Sequence, residues 1–221
     1  MKIFMLLASL AILLSPAGNP AAAEKQRVFT LDEDVWVLFY DVPSRRFRRT
    51  RDAFVRRDWD SVSRDLAVSA GFVHAEADRS SAALVEPLNT VALRMDEIAE
   101  TIHSSQISGS DLDALFARVH WLLAQHYLEQ SITSRDALDS RNAGAYLWAT
   151  VHHMERTVLW SNARLTRRQL ESLETLRDLA GRLRDAADPA PVYKERPIVL
   201  AKKTLLELGA HMDRKIWLDP L

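Results

Sequence analysis

Histidine is the residue type in this sequence whose spacing comes nearest to a recognisable chemistry. His103 follows Glu100 by three positions, His126 precedes Glu129 by three, His152 precedes Glu155 by three, and His74 precedes Glu76 by two. Three positions lie on one helical face. In carboxylate-bridged di-metal bundles a Glu-x-x-His pair on each of two helices converges with a single Glu from each of two others. Only Glu100-Thr101-Ile102-His103 runs in that order, and the other two pairs are reversed. Helical angles at 100° per residue sharpen the point: His103 lies about 60° and Glu100 about 120° from the centre of the stripe Val85, Leu88, Ala92, Met95, Ala99 and Ile102, so this pair is expected to face water. His152 and His153 lie roughly 140° and 120° from the stripe of Leu147, Val151, Met154 and Val158, and they too are expected to look outward. His126 falls inside its own stripe with Glu129 about 85° away, which leaves one clear inward ligand where a metal needs three or four. The expected state of His126 is a buried neutral imidazole bonded to a polar neighbour. The metal alternative rests on His120, His126, His152 and His153, in a surface site that pairs His152 and His153 with His120 or His211 and takes zinc, copper or nickel. No cofactor is expected outside that metal alternative.

The second candidate is a run of cations. Arg45, Arg46, Arg48, Arg49, Arg51, Arg56 and Arg57 are opposed within the run by Asp52 alone. On a helical wheel Phe47 and Phe54 define one face, while Arg45, Arg49, Asp52 and Arg56 stand opposite, giving an amphipathic basic helix. Arg45, Arg49 and Arg56 are therefore the candidates for docking on anionic lipid headgroups or acidic envelope polymers, each near-surface cation contributing about 1 kcal/mol. The structural alternative is a solvated face that pairs with acids of neighbouring helices. Six tryptophans are the third feature, and Trp121 falls opposite its helix's apolar stripe. Such an indole needs cover from a neighbouring helix, a second copy of the chain or a ligand, with core packing preferred.

The common enzyme signatures are missing from these residues. There is no Gly-rich phosphate loop, no Gly-x-Ser-x-Gly, no His-Glu-x-x-His and no cysteine. Paired acids such as Glu97 and Glu100, or Asp111 and Asp113, are what solvated faces and first helical turns carry. No catalytic residue is assigned, and a non-enzymatic protein is expected.

The elements that must position these side chains are read as helices throughout. Of 221 residues only 6 are Gly and 8 are Pro, and few breakers imply long helices. Strict alternation appears only in Val35 to Val42, and one strand cannot make a sheet, so the class is all-α: a multi-helix bundle with C-terminal helices. Helices are expected from about Pro43 to Arg57, Trp59 to Arg79, across Val85 to Ile102, from Ser110-Asp111 onward, and from near Asn142. Two more follow, one capped by Thr166 with Gln169 and one from Pro197 to about His211. In the Thr166 helix Leu170, Leu173, Leu176, Leu179 and Leu183 are expected to be buried. Sliding the chain by 81 residues superposes Val62, Leu66, Ala70, Val73 and Ala77 on Ala143, Leu147, Val151, Met154 and Val158, which suggests two similar helical hairpins.

Residues 1–23 have a positive head, the apolar run Ile3 to Leu14, and Ala21-Ala22-Ala23 as a small-residue cleavage site, the layout of a cleavable export signal. Twelve apolar residues fall short of a membrane span. The expected organisation is a signal peptide at 1–23, an extended lead-in at 24–42 and a single helical domain at 43–221, located in a bacterial periplasm. Export without cysteine leaves packing to stabilise the fold. Twenty-nine Lys and Arg against 30 Asp and Glu give a formal charge of -1, which argues against nucleic acid as a partner. The expected partner is an envelope protein or a second copy of the chain, with peripheral membrane contact as the alternative.

The pattern Ala53-Phe54-Val55-Arg56-Arg57-Asp58-Trp59, followed by Asp65-Leu66 and Ala70-Gly71-Phe72-Val73-His74-Ala75-Glu76-Ala77, resembles a group of exported bacterial all-helical proteins of unassigned function. The likeness spans Asp34 to Trp160. It implies the fold and carries no activity or catalytic residue.

Overall fold

The computed structural model describes residues 33–104, 106–186 and 195–216, so the expected signal peptide at 1–23 and residues 24–32 of the lead-in lie outside it. Among the described residues the chain is all-α, with no strand. A helical turn α1 (Glu33–Trp36) and a 3-10 turn (Val37–Phe39) precede seven longer helices: α2 (Val42–Val55), α3 (Trp59–Asp78), α4 (Ala82–Thr101), α5 (Gly109–Asp136), α6 (Ser140–Ser161), α7 (Arg167–Asp185) and α8 (Glu195–Ile216).

The α5–α6 hairpin is the spine. One core joins α2, α3 and α4 to one side of it through Phe47, Leu66, Leu88, Met95, Phe116 and Tyr127. A second joins α7 and α8 to the other side through Leu147, Met154, Leu176, Leu183 and Leu205. The close approach of α6 to α7 needs Gly144, where an added Cβ would lie 2.6 Å from the Ala180 carbonyl oxygen. Trp121 is covered by α8: its Nε1 donates to the Leu205 carbonyl at 2.7 Å, and its ring occupies the notch left by Gly209.

Local signals account for most of the helix ends. Thr166 and Gln169 form a reciprocal capping box, and Pro43 stands in the first turn of α2. The cap of α5 is Ser108 with Asp111, two residues ahead of the expected Ser110. Pro87 lies inside α4, where it removes one backbone donor without ending the helix.

The two corners that open α3 and α6 are built alike, 81 residues apart. Arg57 and Leu138 both take the left-handed conformation, at φ 58° and 60°. The next residue, Asp58 or Asp139, sends its N–H back to Ala53 or Ser134 and accepts from the amide of Ser61 or Asn142. Further on, Ser69 and Thr150 each donate to the carbonyl four residues before, that of Asp65 and Tyr146. Leu138 is 70% exposed and gains nothing from its side chain, while its Cβ crowds the left-handed backbone. Leu138→Gly is therefore expected to stabilise the chain by about 1 kcal/mol, raising Tm by roughly 2–4 °C in thermal unfolding.

Two local expectations fail. The described part of the lead-in is helical where alternation predicted an extended segment. The inward residues are Trp36, Val37 and Tyr40, at helical spacing, because Trp36 stacks on Phe72 at 6.1 Å and anchors the turn to α3. Leu170 was expected in the core and is 50% exposed, since the buried face of α7 begins only at Ser172 and Leu173.

Candidate functional site

Buried polar groups concentrate where α3, α5 and α6 meet. Along α3 the residues Val62, Leu66, Ser69, Val73 and Glu76 recur at four and three positions, and all five are buried, so helix geometry carries the Glu76 carboxylate into the interior. Four donors meet it. Trp36 Nε1 at 2.9 Å and the Tyr127 hydroxyl at 2.5 Å address Oε1; His126 Nε2 at 3.0 Å and the Arg79 guanidinium at 2.9 Å address Oε2. Arg79 also donates to the Tyr146 hydroxyl and lies 4.9 Å over the Trp36 ring. Burial pushes the Glu76 carboxyl up, yet the hydrogen bond and charge of His126, then Arg79 and Tyr127, outweigh it and hold it below the usual carboxylate range.

His126 is buried, as its place in the apolar stripe implies, and its second nitrogen meets Ser80 Oγ at 2.8 Å. Ser80 has one proton for two acceptors, His126 Nδ1 and the Glu76 carbonyl at 2.7 Å. The Glu76 network was not legible as a site from histidine spacing. The available signal was a carboxylate standing on the inward stripe of an otherwise apolar helix face.

A second cluster corrects the outward placement of His152 and His153. His153 is fully buried, His120 is fully buried, and His152 is half-buried. The single-stripe wheel failed because α6 packs on two sides. Leu147, Val151 and Met154 face α7, while Ala143, Tyr146, Thr150, His153 and Thr157 form a second heptad stripe toward α5. His120 Nδ1 and His153 Nδ1 stand 2.8 Å apart, which requires one N–H and one lone pair. Burial, followed by the charge of His152, pushes His120 well below the usual imidazole range. Burial, followed by the charges of His120 and His152, does the same to His153, with the Tyr40 backbone acting weakly in the opposite sense. Burial and the Arg156 charge bring His152 down to about 4. Its Nε2 meets Ser44 Oγ at 2.6 Å. Three of the four candidate metal ligands thus gather, with His126 turned to Glu76 instead. The Nδ1 atoms of His120 and His153 are spent on each other, and among the described residues no group of three or more His, Asp or Glu is arranged to hold an ion.

The basic face of α2 is exposed at Arg45, Arg49 and Arg56, with Phe47 buried opposite. Several of its arginines are already paired: Arg45 with Asp41, Arg46 with Asp65 and Arg51 with Asp113. Elsewhere His103 and Glu100 are exposed, and His103 lies 3.3 Å from Asp60.

An apolar groove of about 520 Å³ lies between α4, the start of α5, and the C-terminal ends of α6 and α8. Ile98, Ile107, Leu115, Trp160 and Met212 form its walls. The charges at its rim are internally satisfied: Asp113 by Arg51, Arg118 by Asp213, Arg94 by Glu97, and Asp111 in the α5 capping box. The groove therefore offers apolar surface without free charge. No described helix is long and apolar enough to cross a membrane. Comparison with known protein families, curated proteins and solved structures finds no match to this chain.

Proposed function

We propose that this chain is a non-enzymatic exported bundle that acts by binding, and that its apolar groove receives an uncharged, hydrophobic segment of a partner protein in the bacterial envelope. The observation that carries the reading is a division of labour. The acid-base side chains that converge in the interior, Glu76 with His126 and Tyr127, and His120 with His153, are fully buried and bonded within their two clusters. A substrate cannot reach them without opening the bundle. The open concave surface, by contrast, is apolar and falls within the 300–1,000 Å³ range of ligand sites. Rim charges neutralised from within select against a charged occupant, because an incoming charge would lose its water and find no free partner.

The test fills the groove. Ala114 is half-buried on the α5 wall, and Ala114→Trp places an indole in the cavity. Wild-type and variant full-length chains are used to capture partners from envelope extract, with a photo-crosslinker at Ser161 to place the contact. The expected result is a partner crosslinked at Ser161 and lost by about tenfold or more on filling the groove, with the circular dichroism unchanged. Equal capture by both chains contradicts the reading. A dimer seen by light scattering that dissociates in Ala114→Trp replaces the partner with a second copy.

A further inference from the structure

The corner between α2 and α3 holds a second concavity, of about 290 Å³, whose chemistry is the opposite of the groove's. Arg46 and Arg49 reach it from α2 and Arg56 from the residue that ends that helix, at intervals of three and seven residues that share one helical face. Arg64 enters from α3, together with Ser61; Asp52 and Asp65 are the acids of the lining. Asp65 is 5% exposed and bonded to Arg46, so this pair is closed. Arg49, Arg56 and Arg64 are exposed and form no ion pair with an acid among the described residues. Arg64 instead donates to Ser61 Oγ at 2.9 Å, while the Ser61 hydroxyl is hydrogen-bonded to the Asp58 carboxylate, whose charge also acts on Arg56 and Arg64. Ser61 also belongs to the first turn of α3, the positive end of that helix dipole.

Three guanidinium groups share this concavity, and Asp52 in the lining and Asp58 beside it offset their charge only in part. Their planar forks match the oxygens of a phosphate group in pairs, which a solvated face of scattered cations does not do. We infer that the α2–α3 corner is a binding site for a phosphomonoester-type dianion, held by Arg49, Arg56 and Arg64. Arg45 lies outside the lining and is engaged with Asp41, so the site is narrower than the whole basic face of α2 and draws one of its cations from a different helix. Asp52 stands in the cleft as an opposing charge and weakens the site.

The probes are inorganic phosphate, and phosphatidylcholine vesicles containing phosphatidic acid at one lipid in about five, each added to the full-length chain at low ionic strength. Arg49→Gln combined with Arg64→Gln is expected to weaken binding by about tenfold or more. Asp52→Asn is expected to tighten it about fivefold, because a repelling charge in the lining is removed. Arg141→Gln, on the exposed start of α6, changes net charge equally per residue and is expected to leave binding within about twofold. Saturable binding of phosphate alone, with this pattern of variants, identifies a free phosphate or phosphate ester as the source. Binding to the vesicles alone with the same pattern identifies a lipid headgroup. Absence of binding to both, or binding that responds equally to Arg141→Gln and to the Arg49/Arg64 pair, overturns the inference.

Discussion

Glu76→Ala is expected to lower the unfolding free energy by about 3–5 kcal/mol, the cost of removing one partner from a buried ionic network. The carboxylate is fully buried and receives four donors, two on each oxygen, so its loss strands polar groups that the interior cannot solvate. Glu76→Gln keeps the shape but turns an NH2 toward donors, and is expected to cost at least about 2 kcal/mol. Removing both charges is gentler than removing one. The double variant Glu76→Leu with Arg79→Met is expected to lose less than Glu76→Ala alone, since packed apolar groups replace a buried ion pair at little net cost. Urea unfolding monitored by circular dichroism measures all three. A loss below about 1 kcal/mol for Glu76→Ala contradicts an ionised, fully committed carboxylate.

The second large effect is an acid transition that begins unusually early. In the unfolded chain an imidazole takes its proton near pH 6.5, whereas His120 and His153 stay neutral in the fold far below that value. The unfolded state then binds more protons, and stability falls as pH is lowered through 6.5. Two such groups give a slope approaching about 3 kcal/mol per pH unit once the pH is well below 6.5. His152, brought down to about 4, adds to the slope until it too protonates in the fold. Glu76 acts in the same direction but later, because a carboxyl held below 4.5 keeps its contribution until the pH falls under that value. With total stabilities of about 5–15 kcal/mol, cooperative unfolding is expected near pH 5 to 4. His153→Leu is expected to reduce the slope by one proton, or about 1.4 kcal/mol per unit. Stability that stays level from pH 7 to 5 would rule out neutral buried imidazoles.

What could be read in the sequence was what local physics decides. Side chains that satisfy their own neighbourhood's amides, such as Thr166 with Gln169, announce a helix end wherever the chain goes. The apolar stripe of Val62, Leu66, Ala70 and Val73 marks the buried face of α3 in the same way, and its echo 81 residues later marks that of α6. What could not be read depended on a second neighbour. The wheel for α6 located the face toward α7, but His153 belongs to a face that exists only because α5 lies on the other side. Trp121 looked uncovered for the same reason, and α8 covers it from 84 residues away. Trp36 shows the limit of propensity: an alternating, β-branched stretch becomes helical because stacking on Phe72 and bonding to Glu76 reward that shape. Glu76 itself carried a visible anomaly, a charge on an inward stripe, whose meaning needed its four partners.

The account rests on chemistry-bearing side chains that are sealed in the core and committed to one another, leaving binding to the surface. Its most direct test is the 15N spectrum of the histidine rings in the full-length chain, followed from pH 7.5 down to about 5.5. His120 and His153 are predicted to remain neutral throughout, one carrying its proton on Nδ1 and the other on Nε2, with the shared bond visible between their Nδ1 atoms. Titration of either ring near 6.5, or rapid exchange of both with solvent, would contradict the sealed core and reopen the histidines as a working site.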